Sequence, residues 1–390
     1  MSGAPPWILE ISRLLASARR GRPSGMERVE LAYARHVLNR RQGHFAGTDA
    51  WGRFGLIAAE DVAALLDALP GGPEAVASVL ARIRGGLSHR ALLAVAARPG
   101  AVFSIVGHHG LQRGRAIAAL RGRGARFVPA VHDLIPLEHP DTTRWLQRAM
   151  TWARLRQVTR QADGVLLFSH AVRGSLSAFM AARGARPPPM LVAGLGLDLP
   201  AHAAEQAAAA PYFLCVATIE KRKNHALLLD VWQALDAQAP LLVLVGRRSF
   251  GAGATLARLD TGQFRGVIEE RGHCTDAALA SLLAGARALL LPTRAEGYGI
   301  PVAEALAAGV PVICSDIAAL REVGGAAPEY LAPDDLAGWQ AMIAAYAAPD
   351  SPYRARQLAR IADWQGGDWP SHFAAVENFL MTIAKVRYRP

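Results

Sequence analysis

LLLPTRAEGYGIPVAEALAAGVPVICSD, Leu289–Asp316, reads as strand, loop, helix and strand in one short passage. The apolar run Ala288–Leu291 is a buried strand stopped by Pro292. A helix is expected from about Val302 to Ala308, and Val310–Ser315 is again a strand. Two buried strands joined through one helix form the repeating unit of a parallel sheet. Between strand and helix lies Glu296-Gly297-Tyr298-Gly299-Ile300-Pro301. Its two glycines let backbone N–H groups approach a ligand closely, and the helix N-terminus that follows favours an anion such as a diphosphate. Glu296 belongs to the loop, and Glu304, eight residues on, is placed in the first helical turn. One carboxylate can accept from a sugar hydroxyl and the other from a ribose. Taken singly, each reads as well as a solvated loop charge or a complement to the helix dipole.

Upstream, VATIEKRKNHALLLD, Val216–Asp230, sets Glu220, Lys221, Arg222, Lys223 and Asn224 between the end of a strand, Tyr212–Ala217, and a helix, His225–Asp236. Cations at that junction can neutralise a diphosphate leaving group; the plainer alternative is a solvated basic helix start. Pro240–Gly246 is a further strand and Asp276–Gly285 a helix, so strand and helix alternate with short loops. The first half shows the same rhythm less crisply. Ala101–Val106, Ala125–Val131 and Gly164–Ser169 read as strands, and residues 28–40 and 142–162 have helical spacing. The run Arg186–Pro189 and a short strand, Met190–Ala193, lead into Gly194–Pro200 and the alanine-rich Ala201–Ala210, which read as a linker. The expected fold class is therefore α/β, with two Rossmann-like doubly wound domains facing a central cleft. Domain bounds fall at 1–196 and 197–368, and a helical tail, 369–390, is expected to pack back on the first domain.

The second half resembles glycosyltransferase family 4, of the GT-B fold. Glu296 and Glu304 match its E-x7-E signature, and TIEKRKN is similar to its diphosphate-binding segment. Arg271-Gly272-His273 looks like the segment that approaches the base, and SDIAALREVGG, Ser315–Gly325, also resembles the family. The likeness covers residues 212–335 closely. It covers the first half more loosely, through SGMER (Ser24–Arg28), VHDLIP (Val131–Pro136) and LLFSHAVRGSL (Leu166–Leu176). The resemblance implies catalytic roles for His132, Glu296 and Lys223. It implies donor contacts from Gly25, Thr218, Arg222, Lys223, Gly272, His273, Glu296, Gly297, Tyr298, Gly299, Ile300 and Glu304, with Arg28 and the Ser169 loop as further candidates. Thr218 departs from the pattern, since many members carry arginine there, which shifts charge onto Arg222 or Lys223.

By the same resemblance the chain is a retaining hexosyltransferase, with mannose from GDP-mannose the first expectation and a UDP- or dTDP-sugar, or a non-catalytic sugar-nucleotide-binding protein, the alternatives. A polysaccharide or O-antigen pathway is implied, with a saccharide or polyprenyl-diphosphate-linked saccharide as acceptor. The D-x-D metal clamp of the other large glycosyltransferase fold is absent from the sequence. No metal and no cofactor beyond the donor substrate are expected.

Charge is uneven. Residues 1–200 hold 26 arginines, no lysine and 13 acidic residues, a balance of +13, against +11 for the whole chain. A basic half favours an anionic partner. Without interleaved aromatics or a recognition motif, nucleic acid is not expected; an anionic membrane surface is, alongside the bland reading of a solubilising arginine bias. Three cysteines, none in a C-x-x-C pair, indicate neither disulfides nor zinc. No uninterrupted apolar run is long enough to span a bilayer, and the first residues lack a secretory pattern. The expected location is cytoplasmic, peripheral on the inner face of the bacterial cell membrane.

Overall fold

The structure, a computed structural model, describes residues 4–20, 25–197, 211–249, 251–272 and 274–385. The chain divides into two compact units. The first comprises Met1–Leu137, Trp145–Leu195 and Asp368–Pro390, and the second Glu138–Arg144 and Gly196–Gly367. The expected linker Ala201–Ala210 lies outside the described residues.

The first unit holds β1 (Trp7–Glu10), β2 (Gly43–Thr48), β3 (Phe54–Ile57), β4 (Val102–Ile105), β5 (Arg126–Phe127), β6 (Ala130–Val131), β7 (Val165–Leu167) and β8 (Met190–Val192). One sheet runs β3-β2-β1-β4-β5, parallel except for the antiparallel β2–β3 pair, and a second runs β6-β7-β8. Sequence reasoning expected one strand over Ala125–Val131. The chain instead breaks into β5 and β6 around Pro129, which has no N–H to donate to a ladder. Here Val128 N–H donates to Phe103 O in the first sheet, and Pro129 O accepts from Leu166 N–H in the second. The helix Trp369–Lys385 belongs to this unit. Its His372 accepts from Tyr33 OH at Nε2 (2.8 Å) and donates from Nδ1 to Gly194 O (2.8 Å). Glu377 pairs with His36 and Arg40, and Phe373 stacks on His36.

The second unit holds β9 (Tyr212–Val216), β10 (Leu241–Val245), β11 (Ile268–Glu270), β12 (Ala286–Leu291), β13 (Val312–Ser315) and β14 (Glu329–Leu331), in the all-parallel order β11-β10-β9-β12-β13-β14. Both faces of this sheet are covered, which is why its strands are apolar throughout. Period-two alternation sends Phe213, Cys215, Leu242, Leu244 and Ile313 into one core, with Trp232 and Trp339, and Leu214, Val243, Leu289, Leu291 and Val312 into the other. Gly246, at the end of β10, sits so close to Ala217 that a Cβ would meet the Ala217 carbonyl oxygen at 1.9 Å.

Doubly wound sheets bind ligands beyond the carboxyl ends of their strands, where the winding reverses. In the second unit that point lies between β9 and β12, and in the first between β1 and β4.

Candidate active site

The two segments singled out from sequence both leave the second unit's sheet at its reversal point: the Thr218–Asn224 loop follows β9 and the Pro292–Gly299 loop follows β12. They are locked to each other. Asn224, buried and left-handed (φ 58°), donates from Nδ2 to Pro292 O (3.1 Å) and Pro333 O (2.7 Å). Arg294 N–H donates to Arg222 O (2.9 Å), and Arg222 Nη1 donates to Ala295 O (2.7 Å). This scaffold brings Lys223 Nζ onto Glu296 Oε1 and Arg222 Nη1 to 3.3 Å from Glu296 Oε2. Burial pushes the Glu296 carboxyl up, but Lys223 and then Arg222 outweigh it and hold it below the usual range.

The cluster carries less free charge than its sequence suggests. Arg222 also pairs with Glu220 (2.6 Å), and Lys221 reaches Asp141 (3.1 Å). Three cations thus meet three carboxylates. A diphosphate arriving here competes with Glu296 for Lys223 and Arg222 instead of meeting unengaged cations.

Gly299 opens the helix Ile300–Ala307 in a left-handed conformation (φ 104°), and a Cβ there would lie 2.4 Å from Leu320 Cδ2. Both observations make a side chain at this position strained, since it would take a left-handed φ and displace Leu320. The helix begins at Ile300, two residues before the expected start, because Pro301 suits the first turn. Glu304 therefore lies in the second turn, not the first, and is buried. Gly297, Tyr298 and Ile300 are half-buried between these fixed points. Thr218 is half-buried beyond β9, and Gly272 is exposed with φ 54° beyond β11. His273 lies outside the described residues.

In the first unit, half-buried His132 follows β6. Its Nε2–H donates to Val106 O (2.7 Å), and its backbone N–H donates to His108 Nε2 (3.0 Å). Burial lowers its pKa to about 4, so the ring is neutral with Nδ1 as its lone-pair atom. It is an acceptor of hydrogen bonds, not an acid. Asp133 accepts from Ile135 N–H (3.1 Å), and Ser169 caps the helix His170–Ala181 by accepting from Val172 N–H (3.2 Å). Gly25 is exposed at the first position of the helix Gly25–Leu38 and Arg28 is half-buried in its first turn; Ser24 lies outside the described residues.

Sequence reasoning missed the first unit's own reversal point. Glu10, at the end of β1, and Glu30 are fully buried, and Glu10 Oε2 and both Glu30 oxygens lack a hydrogen-bond partner among the described residues. Burial pushes Glu10 to about 7, and burial and the Glu10 charge push Glu30 well up. The loop Gly107-His108-His109-Gly110 after β4 lies against them: a Cβ at Gly107 would meet Glu30 Oε2 at 2.6 Å, and His108 takes φ 60°. Paired histidines between glycines at a strand end were the available signal.

Comparison with known proteins agrees with this geometry. Residues 210–347 match the family described as Glycosyl transferases group 1. The architecture is that of GT-B glycosyltransferases. The Anabaena Alr3699/HepE structure in complex with UDP and glucose superposes with a TM-score of 0.67 over 98% of this chain and 100% of that one, at 15% identity. Sucrose-phosphate synthase of Thermosynechococcus elongatus gives 0.56 over 72% of this chain and 73% of that one, at 17% identity. Within that class the chain resembles bacterial mannosyltransferases. O-antigen chain mannosyltransferase B of Escherichia coli is 35% identical over 128 residues, 32% of this chain and 34% of that one. The serotype-specific mannosyltransferase WbdA of Escherichia coli is 29% identical over 264 residues, 60% of this chain and 32% of that one. The matched parts span about a third of these relatives' length.

Proposed function

We propose that the chain is a retaining, metal-independent hexosyltransferase, with mannose from GDP-mannose as donor and a saccharide or polyprenyl-diphosphate-linked saccharide as acceptor, in O-antigen or exopolysaccharide assembly. The second unit binds the donor and the first the acceptor. The observation that carries this reading is the Lys223–Glu296–Arg222 cluster held beside the Gly299 helix start at the reversal point of the second sheet. Fixed cations and a helix N-terminus stabilise a departing diphosphate without a metal ion. Glu304 takes the ribose, and Glu296, released from Lys223 as the diphosphate engages that amine, faces the sugar. The departing phosphate takes the acceptor's proton in a front-face displacement; the role carried over to His132, neutral with Nδ1 as its lone-pair atom, is to accept from a donor-sugar hydroxyl. Support for mannose comes from the O-antigen mannosyltransferases, 35% identical over 128 residues and 29% over 264; a glycogen synthase, 36% identical over 104 residues, keeps glucose as the second reading.

A nucleotide that binds only the folded state raises the melting midpoint, by about 2.7 kcal/mol of stability at a hundredfold excess over Kd. GDP is expected to shift it most among GDP, UDP, dTDP and ADP. A larger shift with UDP or dTDP moves the donor to the corresponding sugar, and no shift with any of them sinks the donor site. Hydrolysis of the sugar nucleotide or transfer from it, tested with radiolabelled donor, separates an enzyme from a binding protein.

A peripheral association with anionic membrane is part of the proposal. Among the described residues no helix is long and apolar enough to cross a membrane. Support comes from the helix Trp145–Gln161, which leaves Trp145 76%, Leu146 53% and Trp152 44% exposed, with Arg148 and Arg156 exposed on the same helix. Tryptophan and arginine together suit a lipid interface.

A further inference from the structure

A cavity of about 560 Å³ opens in the first unit, against the segments that follow β1, β2 and β4. This is the carboxyl end of the sheet, at its reversal point, where doubly wound folds place ligands. Its floor is apolar: Leu15, Leu80, Ile83 and Leu87. Its rim is cationic: Arg19, Arg84 and Arg113, none of which is in an ion pair among the described residues. The one rim carboxylate, Asp49, is already engaged by Arg53 and by the backbone N–H groups of Trp51 and Arg53.

The wall is constructed rather than incidental. Thr48 N–H donates to Ser12 Oγ (2.8 Å), Ser12 Oγ donates to Thr48 Oγ1 (3.0 Å), and Ser12 N–H donates to the buried Glu10 (3.0 Å), so the ends of β1 and β2 are fastened together. The Asp49–Arg53 turn presents Trp51 at the mouth, 79% exposed. Gly52, at φ 81°, is what admits Arg113: a Cβ there would lie 2.0 Å from its Nη1. Arg113 Nε is buried and has no hydrogen-bond partner among the described residues. Arg113 makes no ion pair among the described residues, and the buried Glu10 whose charge it favours is held largely protonated by burial, so a guanidinium above an apolar floor matches an amphiphile with an anionic head. A free saccharide, whose hydroxyls need acceptors as well as donors, meets Ser12 and Thr48 hydroxyls already bonded to each other and an Asp49 already engaged by its own turn.

We propose that this cavity is the acceptor's lipid-phosphate site: Arg84 and Arg113 hold the phosphate or diphosphate, and the Leu15–Leu87 floor takes the first isoprenoid units of the carrier. This rests on the reading that the acceptor is lipid-linked, and adds to it a location and a set of residues. Arginine pairs phosphate oxygens in bidentate fashion, and the apolar floor distinguishes a lipid phosphate from a free one.

The test is calorimetry on the full chain with farnesyl diphosphate, inorganic diphosphate and farnesol as probes, under saturating nucleotide diphosphate so that the donor site is filled. Farnesyl diphosphate is expected to bind at least tenfold tighter than either other probe. Arg84→Gln with Arg113→Gln is expected to lose tenfold or more, and Leu15→Ser several-fold. The melting shift given by the nucleotide should stay unchanged in all variants. That shift reports the donor reading, so loss of nucleotide binding in the wild type and loss of farnesyl diphosphate binding are separate failures. Equal binding of inorganic and farnesyl diphosphate overturns the proposal, as does unchanged binding by both variants. Binding of a free mannose oligosaccharide that Trp51→Ala abolishes, with none of farnesyl diphosphate, overturns it in favour of a sugar site.

Discussion

At the scale of single residues, the two carboxylates of the proposed donor site differ in what surrounds them. Glu296 is held by two cations, while Glu304 is buried in the second turn of its helix. Glu304→Ala is expected to weaken nucleotide diphosphate binding about tenfold to a hundredfold, the loss of a charge-assisted hydrogen bond of roughly 1.5–3 kcal/mol. Glu296→Ala is expected to lower turnover by a similar factor without weakening that binding, which tightens if anything, because it frees Lys223 and Arg222 for phosphate. Calorimetry beside steady-state rates decides it, and equal nucleotide affinity of Glu304→Ala and wild type would be the adverse result. Activity is also expected to survive EDTA, since Lys223 and Arg222 supply the positive charge that the proposed leaving diphosphate needs; loss of transfer restored by Mg²⁺ or Mn²⁺ would refute that. Glu10 makes a different prediction. Its folded pKa of about 7 lies above the ordinary 4.5, so between those values the folded state holds a proton that the unfolded chain has released. Stability from this group therefore falls as pH rises from about 4.5 to 7 and is level above, a change on the order of 3 kcal/mol at most. Glu10→Gln should flatten that slope in urea unfolding at pH 5 and pH 8; identical slopes would show Glu10 ionised throughout. The residues that meet at the second sheet's reversal point were legible in sequence because glycines, a strand end and charges fall within one short loop. Glu10 and Glu30 were not, because each is an isolated acidic letter whose burial is decided by pairing with distant chain.

At the scale of elements, the helix Ile300–Ala307 depends on how it starts. Gly299→Ala imposes a left-handed φ on alanine and drives a methyl into Leu320. A loss of about 1–3 kcal/mol is expected, read as a lower denaturation midpoint with unchanged slope, together with weaker nucleotide binding. A midpoint equal to wild type would mean the loop relaxes freely. The second unit's strands were readable because a sheet covered on both faces needs uninterrupted apolar runs, as in Leu241–Val245. In the first unit β1, WILE, is only four residues, ends on an acidic letter and runs at once into the helix Ser12–Ala18, so its place at the middle of the sheet had no local signature. The arginine clusters Arg19-Arg20-Gly21-Arg22 and Arg113–Arg126, the candidates that the sequence offers for contact with an anionic membrane, are partly spent within the fold. Arg121 and Arg126 converge on Asp163, and Arg20 pairs with Glu27, while Gly21 and Arg22 lie outside the described residues.

At the scale of the whole molecule, that pairing moves the expected membrane contact from those clusters to the helix Trp145–Gln161. Co-sedimentation with vesicles is expected with anionic but not neutral lipid, to be lost at high salt, and to fall several-fold in Trp145→Ala with Trp152→Ala. Equal partitioning to both lipids, or none, would leave the basic half without that role. The helix Trp369–Lys385 has a consequence in time rather than in space. It belongs to the first unit, yet it is translated after the whole of the second. At roughly 5–20 residues per second, the roughly 170 residues in between occupy a ribosome for about 9–35 s. Throughout that interval Tyr33, His36 and Arg40 lack the partners His372, Phe373 and Glu377 that cover them in the finished fold. The domain begun first is thus completed last, and a nascent chain carries an open seam on it until the closing helix emerges.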